Sequence, residues 1–160
     1  MSQSSTSSST NTPLFSKILV AIDGSEHSFK AAKYALDLAK LSSLGAHVYA
    51  ITVTSIPESY HLKEEEVLNK STKTNNGMED AKSWLDNFNQ QAKENNIQLR
   101  TELINSIRPV DYVILEYAEQ NQIDLIVMGT RGTTGFKKLL LGSTASSVVT
   151  YAHCTVMVVK

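Results

Sequence analysis

Short apolar runs alternate along the chain with longer segments of helical period, and this alternation constrains the fold more than any other feature of the sequence. The first run, residues 17–22, is continuously apolar after its lysine. Continuous runs are typical of strands covered on both faces, and strands that alternate with helices indicate crossover units and a parallel sheet. We predict five strands, over residues 17–22, 47–53, 97–104, 123–128 and 155–159.

The segments between the runs carry apolar residues three and four positions apart, as one buried helix face requires. Ser25 is a candidate N-cap, Gly45 ends the first helix, and Pro109 suits the first turn of a later one. We interpret residues 54–77 as a long mobile loop, and we predict the last helix over residues 143–151. The predicted buried faces are Phe29, Ala32, Leu36 and Ala39; Met78, Ala81, Leu85, Phe88 and Ala92; Val110, Val113, Ile114, Tyr117 and Ala118; and Ala145, Val148, Val149 and Ala152.

Composition narrows the class of protein. A chain of 160 residues is one ordinary domain that buries a core without metals or disulfides. Its formal charge of −1, without a Lys/Arg stripe, argues against nucleic acid as a partner, and its apolar runs are too short to span a membrane. Cys154 is the single cysteine, so we expect a reducing, cytoplasmic environment. Residues 1–13, rich in Ser and Thr, are predicted to be a disordered tail before a domain at residues 14–160.

The residues that suggest chemistry follow the fourth predicted strand. Gly129-Thr-Arg-Gly132 is separated by nine residues from Gly142-Ser-Thr144, which begins a helix. Glycines let the backbone approach a ligand closely, and the first amides of a helix are unpaired and lie at the positive end of its dipole. Alternatively, the glycines only end the strand and begin the helix. We expect an anion site in which phosphate oxygens meet the amides of Gly132, Gly142, Ser143 and Thr144 and the Ser143 hydroxyl, with Arg131, Lys137 and Lys138 nearby.

This segment resembles the universal stress protein family. The family's nucleotide-binding members carry Gly, two residues, Gly, nine residues, and then Gly with Ser or Thr after the fourth strand. Here that pattern reads Gly129, Gly132, Gly142 and Ser143. Residues 17–25 are similar to the family's first strand and turn, and residues 151–159 to its last strand, although Thr155 stands where proline is common.

The resemblance implies an α/β fold with a single open five-stranded parallel sheet of order 3-2-1-4-5 and helices on both faces. This arrangement is Rossmann-like and similar to that of the adenine nucleotide alpha hydrolases. The first and fourth strands are then neighbours whose crossovers leave in opposite directions, and the crevice beyond their carboxyl ends is the favoured ligand position. The resemblance also implies a homodimer through strand Thr155–Val159. Val156, Met157 and Val158 are the candidate contacts, but each could equally face the chain's own helices.

In the family, ATP is held in this crevice, and the resemblance carries its contacts onto this chain. Asp23 could touch the ribose, assist a Mg²⁺ ion, or accept amides at the start of the following helix. Val53 would meet the base through its backbone, with Ile51 and Thr54 as alternatives. The implied nucleotide-binding residues are Ala21, Ile22, Asp23 and Val53 beside the adenosine; Met128, Gly129, Arg131 and Gly132 around the ribose and phosphates; and Gly142, Ser143 and Thr144 at the phosphates.

These observations favour an ATP-binding sensor or regulatory module of the stress response over two alternatives. An ATP hydrolase needs an oriented water and a means of stabilising charge, and the sequence offers neither an identifiable catalytic base nor a Walker motif, so turnover would be slow. An interaction protein of the same fold that binds no nucleotide would be free to fill Gly132 or Gly142 with larger residues. The sequence does not distinguish ATP from AMP or another adenylate.

Overall fold

The computed structural model describes residues 13–42, 45–55, 67–132 and 141–160. The predicted strands agree with the observed ones to within two residues at each end, and the last helix and last strand have their predicted bounds. In chain order the elements are β1 (Lys17–Ala21), α1 (Glu26–Leu41), β2 (His47–Ser55), α2 (Val67–Glu94), β3 (Leu99–Ser106), α3 (Val110–Gln120), β4 (Leu125–Gly129), α4 (Ser143–Tyr151) and β5 (Thr155–Val159).

The five strands form one parallel sheet of order β3-β2-β1-β4-β5, which confirms the predicted fold. At its centre, β1 pairs with β4 in a register that aligns Ile18 with Leu125 and Val20 with Val127. All five residues of β4 are buried. Burial on both faces explains why these two strands are continuous apolar runs in the sequence.

Helices cover both faces of the sheet and form two hydrophobic layers. On one face, Ala32 and Leu36 of α1 and Phe88 of α2 pack against the sheet. On the other face, Ile114 of α3 and Val148 of α4 do the same. Because side chains alternate along a strand, consecutive residues of β1 contribute to opposite layers.

Side-chain hydrogen bonds determine where β1 and α1 begin. The Asp124 carboxylate accepts the backbone N–H of Ser16 at 2.8 Å, that of Lys17 at 3.1 Å and the Ser16 hydroxyl at 2.7 Å. Ser25 is confirmed as the N-cap of α1, since its hydroxyl oxygen accepts the N–H of Ser28 at 3.1 Å. This cap satisfies one of the four amides that the first turn of a helix leaves unpaired.

Three residues predicted to lie in the core are exposed. Phe29 and Val149 have 43% and 48% of their surface accessible, and Met78 has 36%. Phe29, in the first turn of α1, contacts the ring of Trp84 of α2 edge-on, with ring centroids 6.2 Å apart. Val149 is exposed because α4 buries the stripe formed by Ala145 and Val148.

Two helix boundaries also differ from the prediction. Gly45 does not end α1, because the N–H of Ser42 closes the last turn on the carbonyl of Ala39 at 3.3 Å and the helix ends at Leu41. Gly45 lies in the following turn with a φ of 75°. Pro109 is the N-cap of α3 and so precedes the first turn rather than lying within it.

The interpretation of residues 54–77 as a loop is wrong at both ends. β2 continues to Ser55, and α2 already begins at Val67. The run from Ser71 to Gly77 is polar and contains residues of low helix propensity, so local preference argued for a loop. Residues 56–66 lie outside the described part of the chain, as does the predicted tail except for Pro13.

Candidate functional site

A cleft of about 670 Å³ opens at the carboxyl ends of β1 and β4. The chain leaves β1 through α1 toward β2, and it leaves β4 through α4 toward β5, on the opposite side of the sheet. Such a switch point is where open α/β sheets bind their ligands. All eleven residues that the sequence singled out line this one cleft: Ala21, Ile22, Asp23, Val53, Met128, Gly129, Arg131, Gly132, Gly142, Ser143 and Thr144.

The N-terminus of α4 forms one end of the cleft. Gly142 is its N-cap and makes no side-chain capping hydrogen bond. The expectation that the Gly142 amide is free for phosphate is wrong, because it donates to the carbonyl oxygen of Thr130 at 2.7 Å. The amides of Ser143 and Thr144 meet no acceptor among the described residues. These two amides, at the positive end of the helix dipole, can receive an anion.

Gly129 is required by packing as well as by its place in the cleft. A Cβ at this position would lie 2.7 Å from the Cβ of His27 and 2.8 Å from its carbonyl carbon. The first turn of α1 therefore sits directly on the end of β4, and a glycine is needed for that close approach. Sequence reasoning assigned Gly129 to ligand approach and missed this contact between elements far apart in the sequence.

Gly132 and Asp23 face each other across the mouth of the cleft. A Cβ on Gly132 would lie 2.5 Å from Oδ2 of Asp23, and Gly132 itself is exposed. The other carboxylate oxygen, Oδ1, accepts the N–H of Ser25 at 3.0 Å and its hydroxyl at 2.6 Å. Asp23 thus holds the turn before α1 with one oxygen, as the sequence allowed, and presents the second oxygen toward Gly132.

Ser25 connects the two loops that border the cleft. Its hydroxyl, which donates to Asp23, also lies 3.3 Å from the carbonyl oxygen of Arg131. The Nε of Arg131 is buried without a hydrogen-bond partner in the described part of the chain. Arg131 is the one cationic side chain among the described residues that line the cleft, while Lys137 and Lys138 lie outside the described residues.

The other end of the cleft is mostly apolar. It is lined by Ile22, by Val53 at the end of β2, and by Ala81 and Trp84 of α2. The Trp84 ring occupies the space where a side chain on Gly24 would be, with atoms 2.3 Å and 2.4 Å from an ideal Cβ, and Gly24 has a φ of 81°. An apolar slot beside an anion-binding end matches the two halves of a nucleotide.

Sequence reasoning missed several lining residues. Thr52 and Thr130 are buried, and each has a hydroxyl without a partner among the described residues. A polar residue within the apolar run of β2 was an available signal for Thr52. No local signal could place Trp84 here, because tertiary packing brings α2 over the turn after β1. The three alternatives for the end of β2, Ile51, Val53 and Thr54, all line the cleft.

Among the described residues, two ionisable side chains line the cleft, those of Asp23 and Arg131. Within the described ranges, no group of three or more His, Cys, Asp or Glu side chains could hold a metal ion. Asp23 is the one carboxylate among the described residues that line the cleft. Burial, with a smaller contribution from the Asp124 carboxylate, raises the pKa of the Cys154 thiol. The thiolate is therefore disfavoured, as expected of a cysteine that packs with the α3 and α4 layer.

Among the helices described, none combines the length and the apolar character that crossing a membrane requires.

The fold and the cleft define a doubly wound α/β protein with an open site at its topological switch point. A sequence model of the universal stress protein family matches residues 14–160. The chain therefore belongs to the universal stress protein family.

Relatives of known sequence and structure agree with this assignment. The chain is 37% identical over 150 residues to universal stress protein MJ0531 of Methanocaldococcus jannaschii, covering 92% of this chain and 83% of that protein. It is 33% identical to universal stress protein YxiE of Bacillus subtilis, covering 92% and 100%. The solved structure of hypothetical protein MJ0577 has a TM-score of 0.75 at 27% identity, covering 91% of this chain and 96% of that one.

Proposed function

We propose that this universal stress protein binds an adenine nucleotide, ATP in the first instance, in the cleft and acts as a sensor or regulatory module. One observation carries the proposal: a single cleft joins the amides of Ser143 and Thr144, which meet no acceptor in the described part of the chain, to an apolar slot bordered by Ile22, Ala81 and Trp84. Polyphosphate suits the first end, and a flat, weakly polar base suits the second.

The residues around the anion-binding end would contribute to phosphate binding in different ways. The amides of Gly132, Ser143 and Thr144 would receive phosphate oxygens, and Arg131 would add formal positive charge. Gly142 would contribute by its small size, because its own amide is bonded to Thr130. The Oδ2 of Asp23 would meet the ribose or a Mg²⁺ ion carried by the phosphates, since Mg²⁺ is usually held by one or two carboxylates and substrate phosphates.

Related structures support the proposal only through the fold. A universal stress protein from Archaeoglobus fulgidus was solved in complex with dAMP, and its TM-score to this chain is 0.60 at 20% identity. A second universal stress protein structure contains cAMP, with a TM-score of 0.62 at 20% identity. We therefore base the proposal of an adenylate on the cleft of this chain, and the calorimetry described below tests it.

We further propose a homodimer in the cytoplasm, joined through β5. This strand is an edge of the sheet, and Val156, Met157 and Val158 are only half-buried within the chain. An apolar edge strand favours pairing with another copy. Val158→Lys should halve the mass measured by light scattering after gel filtration, and a monomeric wild-type chain would disprove the dimer.

Calorimetry on the purified chain tests nucleotide binding. ATP, AMP and inorganic tripolyphosphate are titrated into the wild type and into Gly132→Val, with and without Mg²⁺. We expect saturable binding of an adenylate that the variant loses, because the branched side chain fills the space in front of Asp23. Equal affinity in both proteins would reject the site. Phosphate release over hours, measured in parallel, separates binding from hydrolysis, and turnover of several per second would identify an enzyme instead.

A further inference from the structure

Thr52 is a polar residue buried within β2. The residue is 2% exposed, and its hydroxyl meets no donor or acceptor within the described residues. Leaving a buried hydroxyl unpaired destabilises a fold, and such groups are rare in native structures. A valine would have nearly the same shape without this cost, and Thr52 lines the cleft, so a ligand there can supply the missing partner.

The position of Thr52 in the sheet places it at the apolar end of the cleft. Ala50 belongs to the layer under α1 and α2, whereas Ile51 belongs to the opposite layer. Alternation along β2 therefore directs Thr52 toward α1 and α2. On that side the cleft is walled by Ala81 and Trp84, and Thr52 lines it with them.

We propose that Thr52 determines base specificity: its hydroxyl forms a hydrogen bond with the polar edge of a nucleobase that enters the apolar end of the cleft. The inference rests on the proposed function, because it assigns one half of the same nucleotide. A hydroxyl donates one hydrogen bond and accepts two, so it can pair with a ring nitrogen or with an exocyclic amino group.

A single hydroxyl in an otherwise apolar slot gives orientation as well as affinity. Apolar walls hold a flat ring in many orientations, and one fixed polar group selects among them. The Thr52 oxygen is covered in the structure, so a rotation about χ1 or a small outward shift of α2 must bring it to the cleft surface. Trp84 lies on α2 and is the single tryptophan of the chain, so its fluorescence reports such a shift.

Thr130 provides a matched comparison within the same chain. Its side chain is also buried, at 8% exposure, and its hydroxyl also lacks a partner in the described ranges. It follows β4, which β1 separates from β2, and its carbonyl accepts the amide of Gly142 at the anion-binding end. Thr130→Val therefore makes the same chemical change at a buried position two strands away from Thr52.

The test compares Thr52→Val, Thr52→Ser and Thr130→Val with the wild type by calorimetry, using ATP and inorganic tripolyphosphate. We expect Thr52→Val to bind ATP about tenfold more weakly, the worth of one hydrogen bond, and tripolyphosphate as the wild type does. Thr52→Ser keeps the hydroxyl and should bind ATP within about twofold of the wild type. Thr130→Val should leave the ratio of the two affinities unchanged. Without ligand, Thr52→Val should raise Tm by about 2–4 °C for each kcal/mol gained from removing the unpaired hydroxyl.

The outcomes separate this inference from the proposed function. If Thr52→Val binds ATP as tightly as the wild type, or weakens ATP and tripolyphosphate equally, Thr52 does not read the base, and nucleotide binding still stands. A lower Tm for ligand-free Thr52→Val also overturns the inference, because it means that the hydroxyl already has a structural partner. If the wild type binds no adenine nucleotide, the proposed function itself fails.

Discussion

A methyl group added at Gly129 should weaken folding, whereas one added at Gly132 should weaken ligand binding. At Gly129 the new Cβ would lie 2.7 Å from the Cβ of His27 and 2.8 Å from its carbonyl carbon. The backbone of α1 cannot yield unless the helix moves off β4. Overpacking costs about 1–3 kcal/mol, and a clash with backbone places Gly129→Ala near the upper value. For a chain of this length we therefore expect Tm to fall by roughly 6–12 °C.

Gly132→Ala should behave in the opposite way. Its Cβ would meet the Oδ2 of Asp23 at 2.5 Å, so the carboxylate must shift while its Oδ1 holds two hydrogen bonds from Ser25. Because Asp23 is exposed and can move without displacing backbone, Gly132→Ala should cost no more than about 1 kcal/mol, the worth of one hydrogen bond. ATP binding should nevertheless weaken at least about tenfold, since the methyl group stands where backbone is proposed to meet phosphate.

Differential scanning calorimetry gives Tm, and isothermal titration with ATP gives affinity, for both variants and the wild type. The ligand-free Tm of Gly132→Ala is the control that its fold is intact. If Gly129→Ala is as stable as the wild type, the described contact between α1 and β4 is wrong. If Gly132→Ala binds ATP unchanged, the mouth of the cleft does not hold the phosphates.

Three further predictions concern stability. Ser25→Ala removes the N-cap of α1 and should lower the free energy of unfolding in urea by about 1 kcal/mol; an unchanged midpoint would show that the cap is dispensable. Asp124→Ala removes the acceptor that holds the start of β1 and should cost about 1–3 kcal/mol, whereas an equal loss in Asp124→Asn would show that the charge matters more than the acceptor. Burial, aided by the neighbouring Glu102 carboxylate, raises the pKa of Tyr117 to about 12. The folded chain thus holds this proton more tightly than the unfolded chain, whose tyrosine pKa is about 10. Stability from this group is complete below about pH 10 and is lost as pH rises through about 12; Tyr117→Phe should remove this decline, and equal pH profiles of unfolding would contradict it.

The central strands and the last helix could be predicted from the sequence because their patterns are continuous and local. β1 from Ile18 and β4 from Leu125 are uninterrupted apolar runs, as expected of strands covered on both faces. The start of α2 could not be predicted, because the residues from Ser71 to Gly77 prefer a loop when judged by propensity alone. The exposure of Phe29 and Met78 could not be predicted either, since helical period shows which residues share a face but not how much of that face the rest of the fold covers.

The candidate site could also be predicted only in part from the sequence. The spacing predicted that Gly132, Gly142 and Ser143 share one cleft, since Gly132 closely follows β4 and the other two begin α4. The same spacing could not show that the Gly142 amide is already bonded or that Gly129 is needed by α1. At the apolar end, the sequence singled out Ile22 and Val53 but missed Ala81 and Trp84 of α2, because only tertiary packing brings this helix over the cleft.

Backbone amide NMR during an ATP titration tests directly whether the cleft binds ATP. We expect the largest chemical-shift changes at the amides of Gly132, Ser143 and Thr144, with a smaller change at Gly142, whose N–H is bonded to Thr130. The Trp84 indole should shift in the same titration and over the same concentration range. Shifts centred on another face of the protein, or none at saturating ATP, would contradict the assignment of this cleft as a nucleotide site.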